Sequence, residues 1–158
     1  MSQELAELQD ESFTRGNAAV QSSLTAERRM TAAELVAFLD AHRYAVVAST
    51  RPSGKPHAAM TSYLRVGTIF WLPTMTGTAR WRNVQAQPWL SLVVAEGEGD
   101  QHAAVTIDGP AETVPLEAAP TNLLDQLPDA SWVTCWLRLT PARLFSYAVP
   151  GATRWKQT

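Results

Sequence analysis

The segment TMTGTARWRN, residues 74–83, follows the apolar run TIFWL and brings hydroxyl and guanidinium groups together. A strand that ends at Thr74, passes Gly77 and enters a helix near Thr78 presents free helix N-terminal N–H groups beside threonine hydroxyls. Arg80, in the first turn, adds a forked guanidinium, and a phosphate uses all three kinds of donor. The same spacing fits a strand-to-helix turn that Thr78 caps, with Arg80 solvated. Spacing by itself favours this second interpretation.

Elsewhere the chain offers no clear candidate for side-chain catalysis. It has no Walker loop, no Gly-x-Gly-x-x-Gly, no His-Glu-x-x-His and no Gly-x-Ser-x-Gly. The three histidines, His42, His57 and His102, lie in separate predicted elements without a second ligand type at metal spacing, so no metal site is predicted. Cys135, the single cysteine, lies in a predicted strand and is interpreted as a buried structural thiol.

The composition limits the classes of protein to which this chain can belong. The chain has 158 residues, of which 46% are hydrophobic, enough for one domain with a core. Its net charge of −2 does not favour a nucleic-acid partner. A single cysteine forms no internal disulfide, the acidic N-terminus lacks a signal-peptide core, and no run approaches a membrane span. We therefore expect a cytoplasmic protein with neither nucleic-acid nor membrane partners.

The hydrophobic pattern divides the chain into an arm and one domain. Residues 1–30 are polar and are predicted to be a flexible or docking arm, whereas residues 31–158 form the domain. Thr31 and Glu34 have capping-box spacing at the start of a predicted helix over residues 32–42.

Short β-rich runs separated by turn residues follow this helix. They cover 44–50, 57–64, 68–73, 88–96, 103–114 and two further runs, SWVTCWLRL and ARLFSYAV. The first three are predicted to form an antiparallel meander, and the whole set indicates a barrel. Two helical interruptions are expected, over 78–86 and over 116–127, where Pro120 splits or delays the second.

The order of these segments resembles the FMN-binding split-barrel superfamily, which includes pyridoxamine 5′-phosphate oxidase, over about residues 32–155. The residues that match its approximate motifs are Gly54, Pro56, His57, Thr74, Thr78, Arg80, Asn83 and Pro88. No single piece is specific, but the ordered set is. The resemblance implies a mainly β fold, a six- to seven-stranded antiparallel split β-barrel with a few short flanking helices.

The resemblance also implies a cofactor site, with the cofactor-binding residues Met60, Thr61, Ser62, Thr74, Thr78, Arg80 and Trp155. The threonines at 74 and 78 and Arg80 would hold a phosphate, and the second strand would run beside the isoalloxazine ring. Trp155, with Arg154, would reach the cofactor or equally pack across a subunit interface. Members of the superfamily are typically homodimers with the cofactor at the interface, so a second copy is the expected partner.

Two departures argue against oxidation of pyridoxamine phosphate. Ala79 stands where the oxidases carry a basic residue, and the ending PGATRWKQT is only faintly similar to theirs. We expect instead a flavin- or deazaflavin-dependent oxidoreductase that transfers hydride between the bound cofactor and a small organic substrate. The cofactor would carry this chemistry, so no catalytic side chain is assigned. The alternative is a non-catalytic flavin- or ligand-binding or sequestering dimer.

FMN is the expected cofactor, with the deazaflavin coenzyme F-420 as the alternative. Because the deazaflavin has an acidic tail, it would favour a basic groove, which Arg51, Lys55 and Arg65 could line if they are not simply solvated. Haem would require an axial ligand, normally a histidine near the C-terminus, and none follows His102.

Overall fold

Eight antiparallel strands curl into a half-barrel flanked by four short helices in the computed structural model, which describes residues 2–149. The helices are α1 (Ser2–Arg15), α2 (Ala18–Ser23), α3 (Ala32–Ala41) and α4 (Ala79–Ala86). The strands are β1 (Tyr44–Thr50), β2 (Pro56–Ser62), β3 (Leu64–Val66), β4 (Ile69–Thr74), β5 (Trp89–Glu96), β6 (Ala103–Pro115), β7 (Cys135–Leu139) and β8 (Arg143–Ala148). None of the helices in this part of the chain is long and apolar enough to cross a membrane.

The long strand β6 joins the two halves of the barrel. In one half the order is β2-β1-β5-β6, with β8 on the other side of β6; in the other half it is β6-β7-β4-β3. Through Pro110, β6 pairs with β5, and from Ala111 onwards it pairs with β7. At the changeover, a Cβ on Gly109 would lie 2.0 Å from the Thr140 carbonyl oxygen. Only glycine therefore lets the chain before β8 pass this close.

The predicted fold class is confirmed, with one more strand than expected. The predicted run 57–64 divides at Tyr63, so that β2 pairs with β1 while β3 pairs with β4 in the other half. Tyr63 is buried, and its hydroxyl donates to the Leu39 carbonyl at 2.7 Å. The middle of the predicted meander thus links the two halves.

The helix predictions differ in outcome. The helix predicted over 32–42 is confirmed as α3, with both capping-box bonds between Thr31 and Glu34 present, and α4 confirms the helix predicted near 78. The segment 116–127 contains two short 3-10 turns, Leu116–Ala118 and Leu124–Gln126, in place of an α-helix. The Pro120 nitrogen between them carries no hydrogen to donate to a continuing helix.

Helix α1 lies against β8 and α3 and closes one end of the core. Leu5 and Phe13 are fully buried, and the Phe13 ring meets the Phe145 ring edge to face at 5.1 Å. The Ser12 hydroxyl accepts a hydrogen bond from the backbone N–H of Leu144 at 2.9 Å. The division into an arm of residues 1–30 and a following domain stays a prediction.

Candidate functional site

A cavity of about 370 Å³ opens along strand β2, at the edge of one half of the barrel. It is lined by Arg43 and Tyr44 at the start of β1, residues 60–64, Arg80, residues 126–129 and Trp132. Its walls therefore come from four separate parts of the chain. Residues 60–64 begin in the edge strand β2 and end at the start of β3, and β2 also touches β4 of the other half.

The structure brings four of the predicted cofactor-binding residues together in this cavity. Met60, Thr61 and Ser62 line it from β2, and Arg80 lines it from α4. Because side chains alternate along a strand, Met60 is largely exposed while Thr61 is buried. Trp155, also predicted to bind the cofactor, lies outside the described residues.

Arg80 is a partly buried cation with unsatisfied donors. Its Nε and Nη1 atoms are buried and have no hydrogen-bond partner. Burial lowers the pKa of the guanidinium, which nevertheless keeps its charge because arginine is not deprotonated in proteins. Buried polar groups are normally hydrogen-bonded, and leaving a charged one unpaired is costly. Arg80 also lines the cavity, so its positive charge would attract an anion there.

Thr74 and Thr78 shape the turn from which Arg80 projects. Their hydroxyl oxygens lie 3.2 Å apart, and the Thr78 hydroxyl donates to the Met75 carbonyl at 2.9 Å. The same oxygen accepts from the Trp81 backbone N–H at 3.4 Å, which caps α4. Neither threonine is among the residues that line the cavity. Of the two interpretations of this segment, the helix cap by Thr78 is confirmed, and the phosphate contact of Arg80 stays a prediction.

A hydroxyl cluster ties this turn to the loop before β7. The Thr134 hydroxyl accepts from the Thr76 backbone N–H at 2.8 Å and lies 3.2 Å from the Thr76 hydroxyl. The Thr134 backbone N–H donates to the Thr74 carbonyl at 3.0 Å. The next residue, Cys135, is a buried free thiol, as predicted. These bonds place Trp132, two residues earlier, beside the cavity.

Sequence reasoning missed Arg43 and the loop at 126–129 as parts of this site. Residues 126 and 127 belong to the segment predicted as helical, residues 128 and 129 follow it, and no motif relates either region to Arg80. Pro120 and Pro128 are the local signals against a continuous helix, but they do not reveal what the loop covers. Only the pairing of distant strands brings these regions to β2.

The side chains that line the cavity carry a net positive charge. Arg80 and Arg43 are cations, and within the described residues Arg43 forms no ion pair. The only carboxylate among the lining residues, Asp129, accepts from the Ser131 backbone N–H and hydroxyl, and these bonds lower its pKa. Burial raises the pKa of Tyr63, so this phenol stays neutral. The lining therefore favours a ligand that carries negative charge.

The three basic residues considered for a groove do not lie together. Arg65 forms an ion pair with Asp40 at 2.6 Å. Arg51 and Lys55 are joined by a backbone hydrogen bond in the β1–β2 turn, at the opposite end of that hairpin from the cavity. Strand β1 has seven residues, so the two ends are about 20 Å apart.

Comparisons with known proteins agree with this architecture. A family model described as pyridoxamine 5′-phosphate oxidase matches residues 31–145. The comparison with curated proteins gives no significant match.

Three solved structures illustrate the range of similar folds. An FAD-binding protein from Mesorhizobium loti is 20% identical, with 75% of this chain and 95% of that chain covered and a TM-score of 0.60. HutZ, the haem storage protein from Vibrio cholerae, is 18% identical, with 72% and 92% covered and a TM-score of 0.58. An F-420 reductase is 20% identical, with 65% and 88% covered and a TM-score of 0.53.

At these identities the solved structures establish the fold and not the ligand. The family model is more specific, since it spans most of the chain, from the capping residue of α3 into β8. The chain belongs to the pyridoxamine 5′-phosphate oxidase family.

Proposed function

We propose that this protein is a flavin- or deazaflavin-dependent oxidoreductase that transfers hydride between its bound cofactor and a small organic substrate. The observation that carries the proposal is the unpartnered guanidinium of Arg80 in the cavity beside β2. A cofactor phosphate in the cavity would be attracted by this charge, and the N-terminus of α4 would add to the attraction. The similar FAD-binding protein and F-420 reductase support this class of ligand.

Within this proposal, the residues of the chain bind and orient the cofactor. Arg80 contacts the phosphate, Thr78 holds the start of α4 and Thr74 supports Thr78 from the interior. Strand β2, from Met60 to Ser62, lies beside the ring, where its backbone groups meet the polar edge. When bound, the ring supplies the hydride chemistry. The apolar walls limit water around it.

FMN is the proposed cofactor, and F-420 is the alternative. Arg80, at the start of a helix, suits one terminal phosphate. The acidic tail of the deazaflavin would find no shared groove at Arg51, Lys55 and Arg65. Pyridoxamine phosphate is not the proposed substrate, because Ala79 replaces a basic residue of the oxidases.

We also propose that the protein is a homodimer with the cofactor at the interface. Tyr44 and Met60, which line the cavity, are exposed on the outer face of the sheet, and Val46 lies on the same face of β1 as Tyr44. Val46 pairs with Met60 on one side and with Val93 on the other, so these three apolar side chains form a row across the face. Large exposed apolar patches mark interaction sites. A second copy on this face would also close the mouth of the cavity.

The alternative function is a non-catalytic flavin- or ligand-binding or sequestering dimer. The similarity to a haem storage protein favours it, because the same fold there serves storage. Turnover separates the two functions. Cofactor-loaded protein would be reduced and mixed with quinones, enones and tetrapyrroles, and reoxidation of the cofactor followed by absorbance. Binding without turnover would favour the alternative.

The test of cofactor binding is titration of the protein with FMN and, separately, with F-420. Arg80→Ala is expected to weaken binding by about 1.5 to 3 kcal/mol, because a charged hydrogen bond to phosphate is lost. Arg80→Lys keeps the charge without the forked geometry, so its loss should be smaller. Arg82→Ala, at an exposed position on the same helix, is the matched control. Equal affinities for the Arg80→Ala and Arg82→Ala variants would remove Arg80 from the site.

A further inference from the structure

Two large apolar side chains are exposed in the same cavity. Met60, on β2, is 69% exposed, and Trp132, on the loop before β7, is 40% exposed. Both line the cavity that contains Arg80. Single exposed apolar residues are common on protein surfaces, but here two border one cavity, whose lining also includes the charged residues Arg43, Arg80 and Asp129.

Hydrogen bonds on both sides of Trp132 hold its loop in place. Before it, the Ser131 backbone N–H and hydroxyl donate to Asp129 at 2.9 and 2.7 Å. After it, the Val133 backbone N–H donates to the Ala130 carbonyl at 3.1 Å, and Thr134 is bonded to the turn that precedes α4. The position of the indole is therefore coupled to the turn that carries Arg80. A ligand that contacts both Arg80 and Trp132 must therefore span the fixed distance between these two side chains.

We propose that Trp132 stacks on the planar ring of the bound cofactor and forms the wall of a ring slot opposite Met60. This inference rests on the proposed function, because it needs a ligand that has both a phosphate and a flat conjugated ring. Indole stacks well on such rings, and it also loses little conformational entropy because only two side-chain torsions are restricted. Trp132 thus selects phosphorylated tricyclic ligands over phosphate compounds without a ring.

The test compares variants of the full chain in FMN titrations, or in F-420 titrations if FMN does not bind. Trp132→Ala removes the ring contact, and Trp132→Phe keeps an aromatic face. Trp89→Ala is the matched control, because Trp89 is 45% exposed but lies outside the cavity lining. Inorganic phosphate, used as a competitor, reports on the Arg80 contact separately. Light scattering checks that each variant keeps the oligomeric state of the wild type.

Trp132→Ala is expected to weaken cofactor binding by about tenfold or more, as for other bases stacked on aromatic side chains. Trp132→Phe should recover most of this loss, and Trp89→Ala should bind as the wild type does. The inhibition constant of phosphate should be the same in all of them. The quenching of cofactor fluorescence by the protein should fall in Trp132→Ala.

Three results would overturn the inference. If Trp132→Ala binds the cofactor as tightly as Trp89→Ala, the indole does not contact the ring. If Trp132→Ala weakens phosphate inhibition as much as cofactor binding, or changes the oligomeric state, the residue has a structural role. If the wild type binds neither cofactor, the proposed function fails and this inference fails with it. The first two results leave the proposed function intact.

Discussion

Neighbouring side chains in the segment 74–83 have different tasks. Thr78 and Thr76 are engaged within the protein, the first as the cap of α4 and the second in the contact with Thr134. Asn83 donates to the buried Ser49 hydroxyl at 2.9 Å and holds the helix against β1. Arg80 alone among these four has buried donors without a partner. The cap fixes the start of α4 and so holds Arg80 in a half-buried position, where its charge is less well hydrated than on an open surface.

Also at the residue scale, the raised pKa of Tyr63 predicts that the free energy of unfolding depends on pH. Burial raises its pKa above the value of about 10 found in the unfolded chain. As the pH rises above about 10, the unfolded state loses this proton while the folded state keeps it, so the free energy of unfolding falls. Tyr63→Phe has no phenol proton to lose, so this contribution to the loss of stability at high pH is absent from the variant. It also leaves the Leu39 carbonyl without its donor, at a cost of about 1 to 2 kcal/mol near neutral pH.

Urea unfolding at a series of pH values measures both effects. The difference in stability between the wild type and Tyr63→Phe should be constant up to about pH 10 and shrink above it. Tyr44→Phe, at an exposed position, should follow the wild type throughout. A difference that stays constant into strong alkali would show that Tyr63 titrates normally.

At the scale of elements, β6 decides how the barrel is divided. Its buried residues alternate from Ala103 to Ala111, so one face stays in the core while the pairing partner changes from β5 to β7. The divided β2 and β3 make the same change on the opposite side. The cavity lies where β2 forms an edge, because no further strand of that half covers it. The split in the sheet therefore creates the site.

Gly109 is the position at which we expect a substitution to disturb the division of the barrel into two halves. A Cβ at this position meets the backbone of Thr140 and Ala142, which can yield only if the chain moves. Gly109→Ala should lower the free energy of unfolding by about 3 kcal/mol or more. Gly67→Ala is the comparison, since Gly67 has φ +64° but open space around it and should cost about 1 to 2 kcal/mol. Chemical denaturation of both variants tests this, and equal losses would contradict it.

At the scale of the whole molecule, Tyr44, Val46 and Met60 are exposed apolar side chains on the outer face of β1 and β2. Helix α1 covers one part of the core, and its Phe13 ring packs edge to face against the Phe145 ring. Nothing comparable within the described residues covers Val46. The site and this face share Tyr44 and Met60, so association and cofactor binding are expected to depend on one another.

Val46→Asp tests the proposed dimer. A carboxylate in the centre of an apolar interface would be buried without a partner, so the variant should be monomeric where the wild type is dimeric. Val66→Asp is the matched control, because both valines are 44% exposed but Val66 lies on β3 in the other half. Size-exclusion chromatography with light scattering gives the masses. A dimeric Val46→Asp protein would place the interface elsewhere.

The strands and the α3 cap could be read from the sequence, because alternation, capping boxes and turn residues act over a few neighbouring positions. The phosphate contact at 74–83 stays a prediction that rests on the family resemblance. The division of residues 57–64 between two halves could not be read, since both parts have the same β-rich pattern and only their partners differ. The same holds for Arg43, the loop at 126–129 and Trp132, which meet Arg80 across a large separation in sequence. Local chemistry was thus determined by the sequence itself. The tertiary structure decided that two donor atoms of Arg80 are buried without a partner, because burial and pairing depend on chain segments that are distant in sequence.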